Sequence, residues 1–177
     1  MKLKQLFENA NSQFLQTRRE IEAWLKKYEI ENYTINDDLS VDVDGDVDIT
    51  WKQLILPYIP IQFGIVSGFF DCSDNDLKTL KGAPREVGES FDCSFNQLTS
   101  LEFAPREVGR YFLCVNNQLT SLEGCPKDVG GNFDCSNNKL STLKFIPKFV
   151  GRSFRCDNNP ELSQDEIDEA LSKLNLL

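Results

Sequence analysis

Six cysteines, a crowded run of aspartates and the absence of histidine bound the chemistry open to this chain. The cysteines are Cys72, Cys93, Cys114, Cys125, Cys135 and Cys156. No two form a C-x-x-C pair, and without histidine no familiar zinc pattern can be written. Neither a Ser–His nor a Cys–His nucleophile can be assembled, and no glycine-rich phosphate loop is present. The stretch D-V-D-G-D-V-D, from Asp42 to Asp48, invites comparison with a calcium loop. The EF-hand order fails, because the sixth position from Asp42 is Val47 and the twelfth is Gln53. Alternation with valine puts the carboxylates on one face of a strand, so a solvated strand face is expected. No metal and no cofactor is expected.

The cysteines belong to a larger pattern. Cys72, Cys93, Cys114, Cys135 and Cys156 recur every 21 residues. Phe70, Phe91, Phe112, Phe133 and Phe154 precede them by two, and Asn75, Asn96, Asn117, Asn138 and Asn159 follow by three. Leucines at 77, 98, 119 and 140, and again at 80, 101, 122 and 143, complete each unit. Prolines at 84, 105, 126 and 147 close it, and valines at 66, 87, 108, 129 and 150 open the next. A fixed period of this length marks a solenoid, in which each unit covers the apolar face of its neighbour.

Each row has a physical reading. F-x-C alternates with period two, so Phe and Cys enter the core from one strand while the residue between them faces out. Parallel strands stacked at about 4.8 Å would bury Phe and Cys as continuous columns. The cysteines then act as small apolar fillers, Cys125 included, which fits a reducing compartment. The Asn amide can satisfy backbone groups that the turn leaves unpaired. Gly88, Gly109, Gly130 and Gly151 are expected to permit the turn back into the strand. Twenty-one residues leave little room for a helix, so the opposite side should be extended or turn-like.

The F-x-C-x-x-N-x-L core resembles the leucine-rich-repeat signature over about residues 46–160, with Phe and Cys at two leucine positions. The short proline-containing unit is similar to repeats of bacterial secreted effectors. The Phe/Cys version with its acidic lead-in resembles repeat proteins of large tailed phages. The resemblance implies an α+β solenoid: a right-handed leucine-rich-repeat array with a parallel sheet. An N-terminal helix and strand cap would span residues 1–45, the solenoid 46–160, and a C-terminal helical cap 161–177. Effector repeats are often joined to a ligase domain; only about 15 residues follow the last repeat, so that domain is expected to be absent.

At the N-terminus, Leu3, Phe7, Ala10, Phe14, Thr17, Ile21, Trp24 and Tyr28 follow helical spacing and predict an amphipathic helix over 2–28. It is expected to cap the first repeat, with a dimerising seam as the alternative. Short strands are expected at Tyr33–Ile35, at Leu39–Val43 and at Val47–Ile49. Residues 46–67 read as a degenerate first repeat. Ser163 with Glu166 forms a capping box opening a helix to about Leu174. No secretory signal and no membrane span is legible, so a cytoplasmic location is expected, the host cytoplasm if phage-encoded.

With 28 acidic and 19 basic side chains the net charge is −9, which disfavours nucleic-acid binding and favours a basic protein partner. The residues facing out of the strands carry the functional expectation. Most are small or acidic, including Asp71, Asp92 and Asp134. The third F-x-C unit instead presents Tyr111, Leu113 and Val115, with Phe69 and Phe95 expected nearby and Arg155 at the far end. Apolar groups on an otherwise wet sheet mark binding sites. The expected function is a non-catalytic protein-interaction module, an inhibitor or adaptor that takes a basic partner on its concave face, monomer favoured. A structural subunit assembling through the N-terminal helix and a calcium-dependent binder are the alternatives.

Overall fold

The computed structural model describes residues 14–51, 54 and 56–176. Its elements run α1 (Arg18–Lys27), β1 (Tyr33–Ile35), β2 (Val41–Val43), β3 (Val47–Asp48), β4 (Phe63–Val66), β5 (Phe70–Asp71), β6 (Glu86–Val87), β7 (Phe91–Asp92), β8 (Glu107–Val108), β9 (Phe112–Leu113), β10 (Asp128–Val129), β11 (Phe133–Asp134), β12 (Phe149–Val150), β13 (Phe154–Arg155) and α2 (Gln164–Lys173). The chain is a β-solenoid of about five turns, capped at each end by a helix. Each turn contributes one short strand to each of two sheets. The six-stranded sheet, β3-β5-β7-β9-β11-β13, is parallel throughout, and β2-β4-β6-β8-β10-β12 form a second parallel array that β1 joins antiparallel.

The expected single sheet of F-x-C strands is therefore half of the structure. The valine row forms the other half. Val87, Val108, Val129 and Val150 point inward from two-residue strands too short to show alternation in sequence.

The core is built of rows in register. Phe70, Phe91, Phe112, Phe133 and Phe154 stack with centroids 5.1–5.6 Å apart and ring planes within 11–18°. The spacing is set by the strand repeat of about 4.8 Å, so each ring covers the next as in offset-stacked pairs. The first four thiols of the row each reach the carbonyl one rung on: Cys72 Sγ donates to Asp92 O, Cys93 to Leu113 O, Cys114 to Asp134 O and Cys135 to Arg155 O, at 3.2–3.4 Å. All six cysteines are free. Burial pushes the row's thiols well above their ordinary range, and pushes Cys125 to about 12 and Cys156 to about 11. Reactivity needs the thiolate, so these groups act as packing.

The buried asparagines tie rungs together. Asn96 Nδ2 donates to Cys72 O and Cys93 O at 3.0 and 3.1 Å, while its Oδ1 accepts from Leu77 N at 2.9 Å. Asn117, Asn138 and Asn159 repeat the arrangement.

The glycine row has a different cause from the one expected. Gly88, Gly109, Gly130 and Gly151 do not adopt positive φ. A side chain at Gly109 would instead collide with the carbonyl oxygen of Gly88, one rung below, and Gly130 and Gly151 meet the same obstacle. The stacking distance, and not a turn, demands glycine.

Of the helix predicted over 2–28, the described residues are helical from Arg18 to Lys27. Residues 14–17 are not helical, and Thr17 is the N-cap of α1, in a capping box with Glu20. Leu3, Phe7 and Ala10 lie outside the described residues. Helix α1 buries Ile21, Trp24 and Leu25, and Trp24 meets Tyr28 and the edge of Phe63, which meets Phe70. The aromatic column thus runs unbroken from cap to array. At the other end Ser163 and Glu166 form the expected capping box, with Leu174 as C-cap. Ala170 and Leu174 are buried against the last turn.

Candidate interaction face

The outer side of the six-stranded sheet gathers most of the residues singled out in sequence. Pairing places Asp48, Asp71, Asp92, Leu113, Asp134 and Arg155 opposite one another on successive rungs. At about 4.8 Å per rung this is a line of carboxylates broken by one leucine and ended by a cation. The seven-stranded sheet differs. Its outward row is Ile65, Glu86, Glu107, Asp128 and Phe149, and the exposed Arg85, Arg106, Lys127 and Lys148 sit one residue before the last four. Along Asp48, Asp71 and Asp92 the six-stranded face carries negative charge with no cation in the row beside it.

The aspartates do two things at once. Asp48, Asp71, Asp92 and Asp134 each accept the backbone N–H two residues on, at 2.8–2.9 Å, closing the turn that ends the strand. Their remaining lone pairs are available to a partner. Asp92 carries the strain of the arrangement. Burial pushes its carboxyl above the usual range, and the neighbouring charges of Asp71 and Asp74 add to this, against the hydrogen bonds from Ser94 that lower it.

Leu113 cannot close the turn in this way, so Val115 N turns to Ser94 Oγ on the preceding rung at 3.2 Å. Leu113, Tyr111 and Val115 are half-buried, as is Phe69. Tyr111 also packs on its own array. A side chain at Gly131 would come within 2.9 Å of the Tyr111 ring, which lies over that glycine. Phe69 and Tyr111 belong to the row entering the strands, whereas Phe95 belongs to the row leaving them, roughly 15 Å across the face. Leu113 and Val115 bridge the two edges, and Arg155 lies on the last rung.

The row leaving the strands holds what sequence reasoning missed. Trp51, Asp74, Phe95, Asn116, Asn137 and Asn158 occupy equivalent positions in left-handed backbone, with φ of 54, 53, 54, 53, 57 and 54°. Asn and Asp tolerate that conformation, and bulky aromatics do not. Trp51 is 72% exposed and Phe95 53%. The pairing of Val47 with Phe70 and of Asp48 with Asp71 makes Trp51 the counterpart of Asp74.

The calcium-loop aspartates are committed to the fold. Asp42 accepts from Ile65 N and Asn36 Nδ2, Asp44 from Ser67 Oγ, and Asp46 from Phe69 N, at 2.7–3.0 Å. They stitch the first rung to the second. Among the described residues no group of three or more Cys, Asp or Glu side chains is placed to hold a metal ion.

Fold and face together define a capped, two-sheet β-solenoid with an acidic outer row. Comparison with family models found no match. Searches of curated proteins and of solved structures found none either. No helix among the described residues is long and apolar enough to cross a membrane.

Proposed function

We propose that the chain is a non-catalytic protein-interaction module that docks a basic partner protein on the outer face of its six-stranded sheet. Within the leucine-rich-repeat reading of its units, this is the face expected to be concave. The observation that supports it is the in-register row Asp48, Asp71, Asp92, Leu113, Asp134. Carboxylates aligned on a rigid sheet steer a cationic surface, and an apolar residue in their midst supplies the anchor where binding energy concentrates. Such a module works as an inhibitor or adaptor, and its six free thiols suit the cytoplasm. Nucleic acid is a poor ligand for the same carboxylates. Self-assembly through the N-terminal helix is disfavoured by the burial of Ile21, Trp24 and Leu25 in the cap.

The test is Leu113→Asp. Aspartate already fills this position on three neighbouring rungs, Asp71, Asp92 and Asp134, and closes the turn there, so the variant should fold. Partner binding, read by pull-down from the native cell and then by titration of the purified partner, should weaken by about 2 kcal/mol, roughly 30-fold. A folded variant that captures the same partner with unchanged affinity would remove this face from consideration.

A further inference from the structure

We propose that Trp51, Asp74 and Phe95 form a clamp for an arginine side chain presented by the partner. This rests on the reading of the six-stranded face as an acidic docking surface, and it names the chemistry recognised at one edge of it. The three residues occupy successive rungs of one row with φ of 54, 53 and 54°. They share φ and the same place in their rungs, so the Trp51 and Phe95 side chains leave the chain two rungs apart, roughly 9.6 Å. A flat group between two rings needs about 3.5–4 Å on each side, roughly 7–8 Å in all. Small tilts of exposed rings close that difference.

Asp74 stands between them on the middle rung, and among the described residues no cation pairs with it. A guanidinium meets all three groups at once: its faces lie against the rings and its edge donates to the carboxylate. An ammonium is compact and strongly hydrated and cannot be sandwiched in this way. A neutral apolar ligand would leave the carboxylate without a partner. The neighbouring Asp71 and Asp92 add negative charge beside the site, which an incoming cation relieves.

The rings are not there for packing. Trp51 is 72% and Phe95 53% exposed, in a backbone conformation that later rungs give to Asn116, Asn137 and Asn158. Aromatic residues held against local preference on the surface fit a binding role better than a structural one.

Only two tryptophans are present, and Trp24 is 1% exposed, so Trp51 is a built-in reporter of the site. The full chain would be titrated with a peptide of alternating arginine and serine, and with its lysine counterpart, following tryptophan fluorescence and amide chemical shifts. The arginine peptide should perturb Trp51 and bind about 5-fold tighter than the lysine peptide. Phe95→Asn, which puts an αL-tolerant residue at the site, should weaken arginine-peptide binding about 5-fold while raising Tm by about 2–4 °C. Equal affinity for the two peptides, no binding of the arginine peptide, or a Phe95→Asn variant that binds normally or melts lower would each overturn the clamp. The docking face as a whole is judged separately, by Leu113→Asp and the native partner.

Discussion

Asp92 shows how one side chain can serve the fold and oppose it. Its carboxylate closes the turn through Ser94 N at 2.8 Å, yet it is the aspartate of the row that burial and the charges of Asp71 and Asp74 push up. A raised carboxyl pKa means that the folded state holds its proton more tightly than the unfolded chain. The contribution of Asp92 to stability is then fully present below the unfolded pKa, about 3.9, and is lost as pH rises through the folded value. An amide in place of the carboxylate would keep an oxygen acceptor for Ser94 and remove the charge. Asp92→Asn should therefore raise Tm at pH 7 by about 1–4 °C, and the gain should shrink towards zero below about pH 3.5. Thermal melts at the two pH values check this, and an equal gain at both would mean that charge is not the cause. The position was legible in sequence as an outward aspartate; its burial and its two charged neighbours were not.

At the scale of elements, both sheets depend on the distance between rungs. The two-residue valine strands have no pattern of their own long enough to read, and they exist because their neighbours above and below pair with them. Glycine makes that stacking possible. In Gly109→Ala the added methyl meets the Gly88 carbonyl, a backbone group fixed by its own pairing. The cost should be about 2–4 kcal/mol in urea unfolding, against under ~0.5 kcal/mol for Glu107→Ala two residues away on the exposed face. Equal, small effects would show that rung spacing does not select these glycines. The caps are more local. Thr17–Glu20 and Ser163–Glu166 each satisfy the first turn of a helix by themselves, and the second box was predictable from four residues.

At the scale of the molecule, near-equivalent rungs make the array modular. Each 21-residue unit contacts chiefly the units beside it, so removing one should shorten the solenoid without dismantling it. Excising residues 105–125 joins Ala104 to Pro126 and restores every row in register. The shortened chain should unfold in one cooperative transition with a reduced m-value, and should lose partner binding with Tyr111, Leu113 and Val115. Loss of cooperative folding, seen by circular dichroism in urea, would mean that this rung is not interchangeable with its neighbours. Net charge of −9 belongs to this scale as well, but its placement matters more than its size: one face mixes both signs, and the other is a line of aspartates.

The sequence by itself determined whatever repeats or is local. Phe, Cys, Asn and Leu recurring every 21 residues specify a stacked array, because only a fixed rung distance can use one residue type at one position again and again. Alternation in F-x-C determined which side chains face out, and the Ser163 box determined the second helix. The tertiary structure decided whatever depends on a neighbouring rung. The valine strands exist through the strands stacked on either side of them, and the glycines answer to a carbonyl one turn away. The aspartates from Asp42 to Asp46 are spent on the second rung, and Tyr111 lies over Gly131. Trp51 stands in the row of Phe95 because Val47 pairs with Phe70 and Asp48 with Asp71, a register fixed by the folded sheet.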